Sequence, residues 1–254
     1  MGEGIKLDMN KSVHENAAGY YERAKELRKK AQNAKKAIGE THKELEREGE
    51  KKVAAKAVRI KRERKWYERY HWFESEGFMT LAGKDAKQNE ELVGKQLGDE
   101  DLFFHADIHG APATILKNGK EAPEKILAQA AQFAASYSSA WKAGARLVDV
   151  YAVEKSQVSK EAQGEHLGKG SFVISGKRSW FRNTELELIL GIDENGVLFC
   201  VPAKAERKLS RSLRIRQGEK EKGEASRELA AQLGVSVDEV LSLLPAGKFG
   251  YERV

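Results

Sequence analysis

Two histidines and an aspartate at alternating positions are the residues best able to do chemistry in this sequence. They are His105, Asp107 and His109, in the run LFFHADIHG. If this run is one extended strand, alternate side chains share a face and the three lie together. Two imidazoles and a carboxylate could then hold a divalent cation, as in a metal-dependent hydrolase. The favoured interpretation has no metal and no cofactor: Asp107 fixes a histidine tautomer or a turn, and a histidine faces the ligand.

Motifs for other kinds of catalysis are missing from the sequence. There is no GxSxG elbow, P-loop or dinucleotide-binding loop, and the run GKGSFVISGKR lacks the strand-turn-helix context that such loops need. The single cysteine, Cys200, lies in the apolar run VLFCVP and is interpreted as a buried small hydrophobe in a reducing compartment. The sequence therefore predicts no catalytic residues and no enzymatic activity.

The run KRSWFR is the best compact pattern for binding nucleic acid. It supplies three cations for phosphate, Lys177, Arg178 and Arg182, and a ring, Trp180, that could stack on an unpaired base. In the alternative interpretation, Trp180 and Phe181 are core residues and only the cations are exposed.

Two further groups of polar residues have the chemistry to contact RNA. A Gly-rich loop supplies Lys155, Ser159, Lys160, His166 and Lys169. A predicted helix start near the HADIHG run supplies Lys84, Lys87, Gln88 and Asn89, where free amide groups and the helix dipole favour phosphate.

Positive charge is concentrated near the N-terminus. The net charge is +6, and residues 1–75 hold 20 basic against 13 acidic residues, while the remainder holds 25 against 26. The basic residues singled out there are Lys56, Arg59, Arg62 and Lys65. Such a strip suits a phosphate backbone, because each neutralised phosphate releases condensed counterions. The alternative is a solvated helix face without a ligand.

Residues 12–70 have the composition of a helical arm. They are rich in Ala, Glu, Lys and Arg, contain no proline, and begin with the capping box formed by Ser12 and Glu15. Apolar residues spaced by three or four predict a thin antiparallel coiled coil. Because Gly39 and Gly49 weaken a helix, the segment between them is the predicted hairpin tip. The alternative is one long, bent helix.

The remainder of the chain predicts an α+β fold with a mainly antiparallel sheet and flanking helices. The predicted strands are 78–82, 102–109, 113–117, 146–154, 171–175, 185–192, 197–201 and 211–217. The predicted helices are 85–97, a helix from Pro123 to Gly144, 221–233, and a short helix capped by Ser236 and Glu239. The turn Asn195-Gly196 predicts a hairpin. The expected domains are a basic coiled-coil arm at 1–65, a core domain at 66–192 and a C-terminal extension at 193–254.

No apolar run approaches 18 residues, and the first ten residues lack a signal-peptide core. The expectation is a soluble, cytoplasmic protein with no membrane partner.

A series of long runs resembles one known family. The runs are SVHENAAGYYERAKELRKK, KWYERYHWFESEGFMTLAGKDAKQNE, DLFFHADIHGAPATILKNG, SYSSAWKAG, QVSKEAQGEHLGKGSFVISGKRSWFRN and DEVLSLLPAGKF. They resemble the NFACT-R domain, the RNA-binding module of the NFACT family, which includes bacterial RqcH and the archaeal and eukaryotic NEMF-type factors. The resemblance covers nearly the whole chain. The N-terminal domain and helix-hairpin-helix segment of that family have no counterpart, so the chain is expected to be a C-terminal piece or a stand-alone protein.

The resemblance implies a non-catalytic module that binds rRNA or tRNA on the large ribosomal subunit after a stalled ribosome has split. It implies no metal. The alternative from a different class is a protein-interaction adaptor that binds a protein partner through the coiled-coil arm.

Overall fold

The computed structural model describes residues 6–54, 65–162, 165–166 and 168–254. The chain divides into two compact units, Met1–Lys56 and Ala57–Val254. The first unit contains the helix α1, Val13–Ala54. Its start has the predicted capping box: the Ser12 amide donates to the Glu15 carboxylate at 2.8 Å, and the Glu15 amide donates to the Ser12 hydroxyl at 3.3 Å.

Helix α1 runs without a break through Gly39 and Gly49. The predicted hairpin tip between these glycines is therefore wrong, and the alternative of one long helix agrees with the structure as far as Ala54. Each glycine costs about 1 kcal/mol relative to alanine, and the many strong helix formers around them offset this cost. The coiled-coil packing of the arm stays a prediction, and residues 55–64 lie outside the described residues.

The second unit is built on a six-stranded sheet. Its strands are β1 (His71–Ser75), β2 (Phe78–Ala82), β3 (Leu102–Ala106), β4 (Thr114–Leu116), β5 (Leu147–Glu154) and β10 (Ser179–Glu185). The spatial order is β1-β2-β4-β3-β5-β10, and every neighbouring pair is antiparallel.

A second antiparallel sheet has the order β12-β11-β13-β14. Its strands are β11 (Leu188–Ile192), β12 (Leu198–Pro202), β13 (Arg211–Glu221) and β14 (Lys248–Arg253). Four two-residue strands form two small pairs, β6 (Val158–Ser159) with β9 (Val173–Ile174) and β7 (Glu161–Ala162) with β8 (Glu165–His166).

The helices of this unit are α2 (Ala86–Glu91), continued by a π-helical turn at Leu92–Gln96, α3 (Glu124–Ser136), α4 (Ser139–Lys142), α5 (Lys222–Leu233) and α6 (Val237–Leu243). The predicted mixed α+β class with antiparallel sheets is thus confirmed. No helix in the described ranges is both long and apolar enough to span a bilayer.

The two faces of the six-stranded sheet enter different cores. On the inner face, Phe104 packs with Phe133 of α3 and with apolar residues of the second sheet. On the outer face, Phe103 and Tyr151 pack with a smaller cluster that includes Leu92. Alternation along each strand produces this division, since successive side chains point to opposite faces.

Several local predictions agree with the structure because short-range chemistry decides them. Strand β2 has the predicted bounds. Strands β11 and β12 form the predicted hairpin, with Gly196 at φ +77°. The Asp85 carboxylate accepts from the Gln88 amide at 2.8 Å at the start of α2, and Ser236 and Glu239 form the capping box of α6.

Other predictions are wrong where the chain turns earlier than the pattern suggests. The strand predicted at 102–109 ends at Ala106, and the helix predicted from Pro123 to Gly144 divides into α3 and α4. Strands β1, β10 and β14 were not predicted. The boundary proposed at residue 192, between a core and a C-terminal extension, stays a prediction.

Candidate nucleic-acid interface

A row of rings crosses three neighbouring strands on the outer face of the sheet. Tyr151 of β5 lies directly opposite His105 of β3 and directly opposite Trp180 of β10. The ring centroids of His105 and Tyr151 are 5.8 Å apart, and those of Tyr151 and Trp180 are 5.5 Å apart in a T-shaped contact. Directly opposed side chains on adjacent antiparallel strands are close enough for such contacts. We call His105, Tyr151 and Trp180 the ring row.

Two guanidinium groups lie beside the ring row. Arg178 is 4.5 Å from the Tyr151 centroid and 5.8 Å from that of Trp180, and Arg182 is 3.8 Å from that of Trp180. Cations at these distances interact favourably with aromatic faces. Lys177, next in the chain, is exposed, and neither Lys177 nor Arg178 forms an ion pair within the described ranges. The outer face therefore presents rings and positive charge together.

Asp149 holds Arg182 in place through a β-bulge. The register of β10 against β5 shifts here, so that Arg182 and Asn183 both lie opposite Asp149. The Asp149 carboxylate accepts from the Asn183 amide at 2.8 Å and from the Arg182 guanidinium at 2.6 Å. These two bonds, that of the Asn183 amide first, lower the pKa of Asp149. The bulge thus fixes the direction of Arg182, a common role of bulges.

A groove of about 490 Å³ begins at the ring row. Its walls include His105, Tyr151, and the rings of Phe103 and Phe172. The predicted residues that line it are Lys84, Asn89, His105, His109 and Lys169. The fold therefore brings together residues from three separate sequence patterns: the HADIHG run, the start of α2 and the Gly-rich loop.

One carboxylate joins the loop wall of this groove to α2. Glu90 forms an ion pair with Lys160 and accepts from the Gly170 amide at 3.2 Å. The Lys160 hydrogen bond, followed by that of Gly170, lowers the pKa of Glu90. Gly170 has φ +78°, and a Cβ there would lie 2.8 Å from the Cβ of Ala86. The loop and the helix are therefore in direct contact at a position that favours glycine.

His105 is the histidine that faces the groove from a strand. Burial lowers its pKa, because the charged imidazolium is disfavoured away from water, while backbone contacts with Ala106 and Ala111 and the charge of Asp107 act in the opposite direction. His105 is therefore neutral near pH 7 and can both donate and accept a hydrogen bond.

The predicted common strand face for His105, Asp107 and His109 is wrong. The Asp107 amide still donates to the Asp149 carbonyl at 2.7 Å, but the Ile108 amide turns back to the Ala106 carbonyl at 2.7 Å, so the chain leaves the sheet. The predicted hydrogen-bonded cluster of the three side chains does not occur among the described hydrogen bonds. The part of the chain that the structure describes also holds no group of three potential metal ligands.

Other predicted residues are engaged in structural contacts. Lys155 forms an ion pair with Asp99 at 3.1 Å. The Gln88 side chain accepts from the Lys84 amide at 3.1 Å, and the Asn89 side chain accepts from the Ala113 amide at 3.1 Å.

The remaining predicted residues do not line the groove or lie outside the described residues. Lys65 is exposed and lies 5.8 Å from the Tyr67 ring centroid, and Lys87 is also exposed. Ser159 belongs to β6 and His166 to β8. Lys56, Arg59 and Arg62 fall outside the described residues.

Sequence reasoning missed Tyr151 and Asp149. A signal for both was present, because the alternation in LVDVYAVE places them on one face of a strand. What the sequence did not reveal is that β5 pairs with β3 on one side and with β10 on the other. Without that pairing, Tyr151 is only one more aromatic residue in an apolar strand.

Comparisons with known proteins point to one family. Residues 69–176 match the model of the NFACT protein RNA binding domain. This range includes His105 and Tyr151 of the ring row, and Trp180 lies just beyond it. The chain is 39% identical over 198 residues to the archaeal Rqc2 homolog aRqcH of Methanocaldococcus jannaschii, covering 74% of this chain and 30% of that protein.

Eukaryotic proteins show the same similarity. The ribosome quality control complex subunit NEMF homolog of Drosophila melanogaster is 36% identical over 200 residues, covering 74% of this chain and 20% of that protein. The chain therefore spans less than a third of the length of these relatives. These matches and the described fold agree on one conclusion: the chain belongs to the NFACT family.

Proposed function

We propose that this chain is an RNA-binding module of ribosome-associated quality control, which binds rRNA or tRNA on the large ribosomal subunit after stalling and catalyses no reaction. The observation that carries the proposal is the ring row with its two guanidinium groups beside a lysine-lined groove. The RNA-binding family model and the ribosome quality control names of the relatives support it.

The outer face has both kinds of group that RNA binding needs. Phosphates require cations that are not already neutralised, and Lys177, Arg178 and the groove residue Lys169 form no ion pair among the described residues. Bases require flat exposed surfaces, and Trp180 is the exposed ring of the ring row. Lys155 and Lys160, by contrast, are paired with Asp99 and Glu90, and this assigns them a structural role.

Sedimentation with purified large ribosomal subunits at a low and a high salt concentration tests the proposal. The wild-type chain should sediment with subunits at low salt and be released at high salt, because phosphate contacts weaken steeply with salt. The double variant Lys177→Gln, Arg178→Gln should bind RNA less tightly, because it removes the two cations of this patch that form no ion pair among the described residues. Its log–log salt slope should be smaller by about 1.4, since each contact with single-stranded RNA contributes about 0.7.

A matched control removes two arginines from the second sheet. Arg214 and Arg216 both contact Glu187 and Glu252, so their charges are neutralised within the protein. The double variant Arg214→Gln, Arg216→Gln should keep wild-type affinity. Equal losses in the two double variants would show a non-specific effect of net charge, and an unchanged affinity in Lys177→Gln, Arg178→Gln would refute this face as the binding surface.

The second candidate function is a protein-interaction adaptor, and it is favoured by the surface of α1. Tyr20, Leu27 and Ile38 lie along one side of this helix and are 44%, 57% and 64% exposed. Large apolar side chains in such positions suit a partner helix. Replacing the three residues by serine would abolish subunit binding if the adaptor function is correct, and that binding would be nearly independent of salt. The alternative of a metal-dependent hydrolase gains no support from the strand, which ends at Ala106 before Asp107 and His109.

A further inference from the structure

Trp180 is the exposed member of the ring row. Its side chain is 36% exposed, whereas Tyr151 beside it is 6% exposed. On the opposite face of the same strand, the neighbouring Phe181 packs toward the core at 5.7 Å from Phe104. The two aromatic residues of β10 thus lie on opposite faces of the sheet. Phe181 packs against the core, and Trp180 is partly exposed to solvent.

The orientation of the Trp180 ring is fixed before any ligand arrives. Tyr151 meets it in a T-shaped contact, and the guanidinium of Arg182 lies 3.8 Å from its centroid. Arg182 is itself held by Asp149, which also binds the Asn183 amide. A side chain that is already ordered loses little conformational entropy on binding, so this arrangement favours affinity.

The chemistry of this surface selects one state of RNA. A base inside a duplex is stacked on its neighbours and cannot present its face to a protein ring, whereas an unpaired base can. A stacking ring between cations is the arrangement that single-stranded nucleic acid requires, since the cations meet the phosphates on either side of the base. Arg178, two residues before Trp180, is such a cation, whereas Arg182 lies over the Trp180 ring and is paired with Asp149.

We infer that Trp180 is a stacking site for one unpaired base, so that the outer face binds single-stranded RNA in preference to duplex. This inference rests on the proposed function and specifies the class of RNA. It assigns different tasks to neighbouring side chains: Trp180 supplies the stacking surface, Arg178 contacts a flanking phosphate, and Arg182, held by Asp149, keeps the Trp180 ring in position.

The test compares three variants with two RNA probes. The variants are Trp180→Ala, Trp180→Phe and the control Trp66→Ala. Trp66 is 52% exposed and also makes a T-shaped contact with a tyrosine, Tyr67 at 5.8 Å, but no cation–ring contact of Trp66 is present among the described residues. The probes are a fluorescently labelled oligouridylate and the same strand annealed to oligoadenylate. Dissociation constants and melting temperatures are measured for every variant.

Wild-type protein should bind the single strand more tightly than the duplex. Trp180→Ala should weaken single-strand binding by roughly 5- to 150-fold, the effect of losing one base–aromatic stack, and should leave duplex binding within about twofold. Trp180→Phe should keep most of the affinity, because it retains a ring, and Trp66→Ala should match wild type. Trp180→Phe also keeps the test valid if Trp180→Ala melts at a lower temperature.

Three results would overturn the inference. Single-strand affinity could be unchanged in Trp180→Ala, the losses for single strand and duplex could be equal, or Trp180→Phe could be as weak as Trp180→Ala at an unchanged melting temperature. In each case RNA binding itself, and with it the proposed function, would still stand. If wild-type protein bound neither probe at low salt, the proposed function would fail as well.

Discussion

The inner and outer faces of the six-stranded sheet are made by neighbouring residues of the same strands, yet they differ in what they offer a ligand. Phe104 and Phe181 enter the inner core, while the adjacent His105 and Trp180 enter the outer ring row. The inner face is covered by α3 and the second sheet. The outer face carries a smaller cluster, and Phe103 and Tyr151 of that cluster also line the groove.

The difference shows how one sheet separates stability from binding. Fully buried apolar side chains on the inner face, such as Phe104, lose contact with water, so they contribute to the free energy of folding in proportion to the buried area. On the outer face, His105 and Trp180 are only partly covered and retain area that a ligand can bury, whereas Tyr151 between them is buried. Substitutions one position apart should therefore have different consequences.

The largest expected effect is on the inner face. Phe104→Ala should lower the free energy of unfolding by about 3–5 kcal/mol, because it removes a fully buried ring between the sheet and α3. His105→Ala, one residue further along, should cost about 1 kcal/mol, since its side chain is partly exposed. Urea unfolding measures both. Similar losses in the two variants would mean that the outer face contributes to the core as much as the inner face does.

A smaller effect should appear in the pH dependence of stability. His71 is buried on the inner face, stacks on Tyr137 with ring centroids 3.9 Å apart, and its Nδ1 has no hydrogen-bond partner. Burial first, and then the charges of Lys84 and Lys222, hold its pKa well below the ordinary value. Below about pH 6.5, His71 is therefore protonated in the unfolded state and stays neutral in the folded state. The free energy of unfolding decreases as the pH falls through that value.

His71→Phe removes this proton uptake and keeps the stacked ring. The loss of stability between about pH 7 and about pH 5 should be smaller in His71→Phe than in wild type. Thermal unfolding at the two pH values measures the difference. His14→Phe is a suitable control, because His14 lies on the exposed first turn of α1. An unchanged pH dependence in His71→Phe would show that His71 is not a source of acid sensitivity.

The smallest expected effect concerns the histidine of the outer face. The charge of Asp107 raises the pKa of His105 against the dominant effect of burial. Asp107→Asn should therefore lower the pKa of His105 further, with little change in the melting temperature because Asp107 is exposed. NMR titration of the imidazole measures the shift. A rise of the His105 pKa in this variant would contradict the described geometry, and Asp99→Asn provides a control that leaves Asp107 in place.

Local chemistry made much of the fold predictable, and long-range pairing did not. Helix starts such as Asp85 with Gln88, and turns such as Asn195-Gly196, depend on residues a few positions apart, and the sequence displays them directly. Strand β1 contains several aromatic residues without a clear alternation of apolar and polar residues. Strand β10 contains charged residues and a β-bulge, where Asp149 on β5 binds Arg182.

Many residues of the candidate site could be predicted from the sequence, but their positions relative to one another could not. The cations and Trp180 of KRSWFR stood out from their composition, and so did the histidines of the HADIHG run. The KRSWFR and HADIHG runs lie about seventy residues apart in the sequence. The strand order β3-β5-β10 places both runs beside Tyr151. The prediction that His105, Asp107 and His109 share a strand face was wrong because β3 ends at Ala106. The Ile108 amide donates back to the Ala106 carbonyl there.

The absence of a Cβ at Gly170 lets the loop approach α2 closely at the groove. At this position the loop and α2 are so close that a methyl group would separate them. Replacing Gly170 by alanine would therefore separate the loop from α2 at the groove without altering any charge. Variation at one uncharged position could thus change which RNA shapes the groove admits, independently of how strongly the surface attracts phosphate.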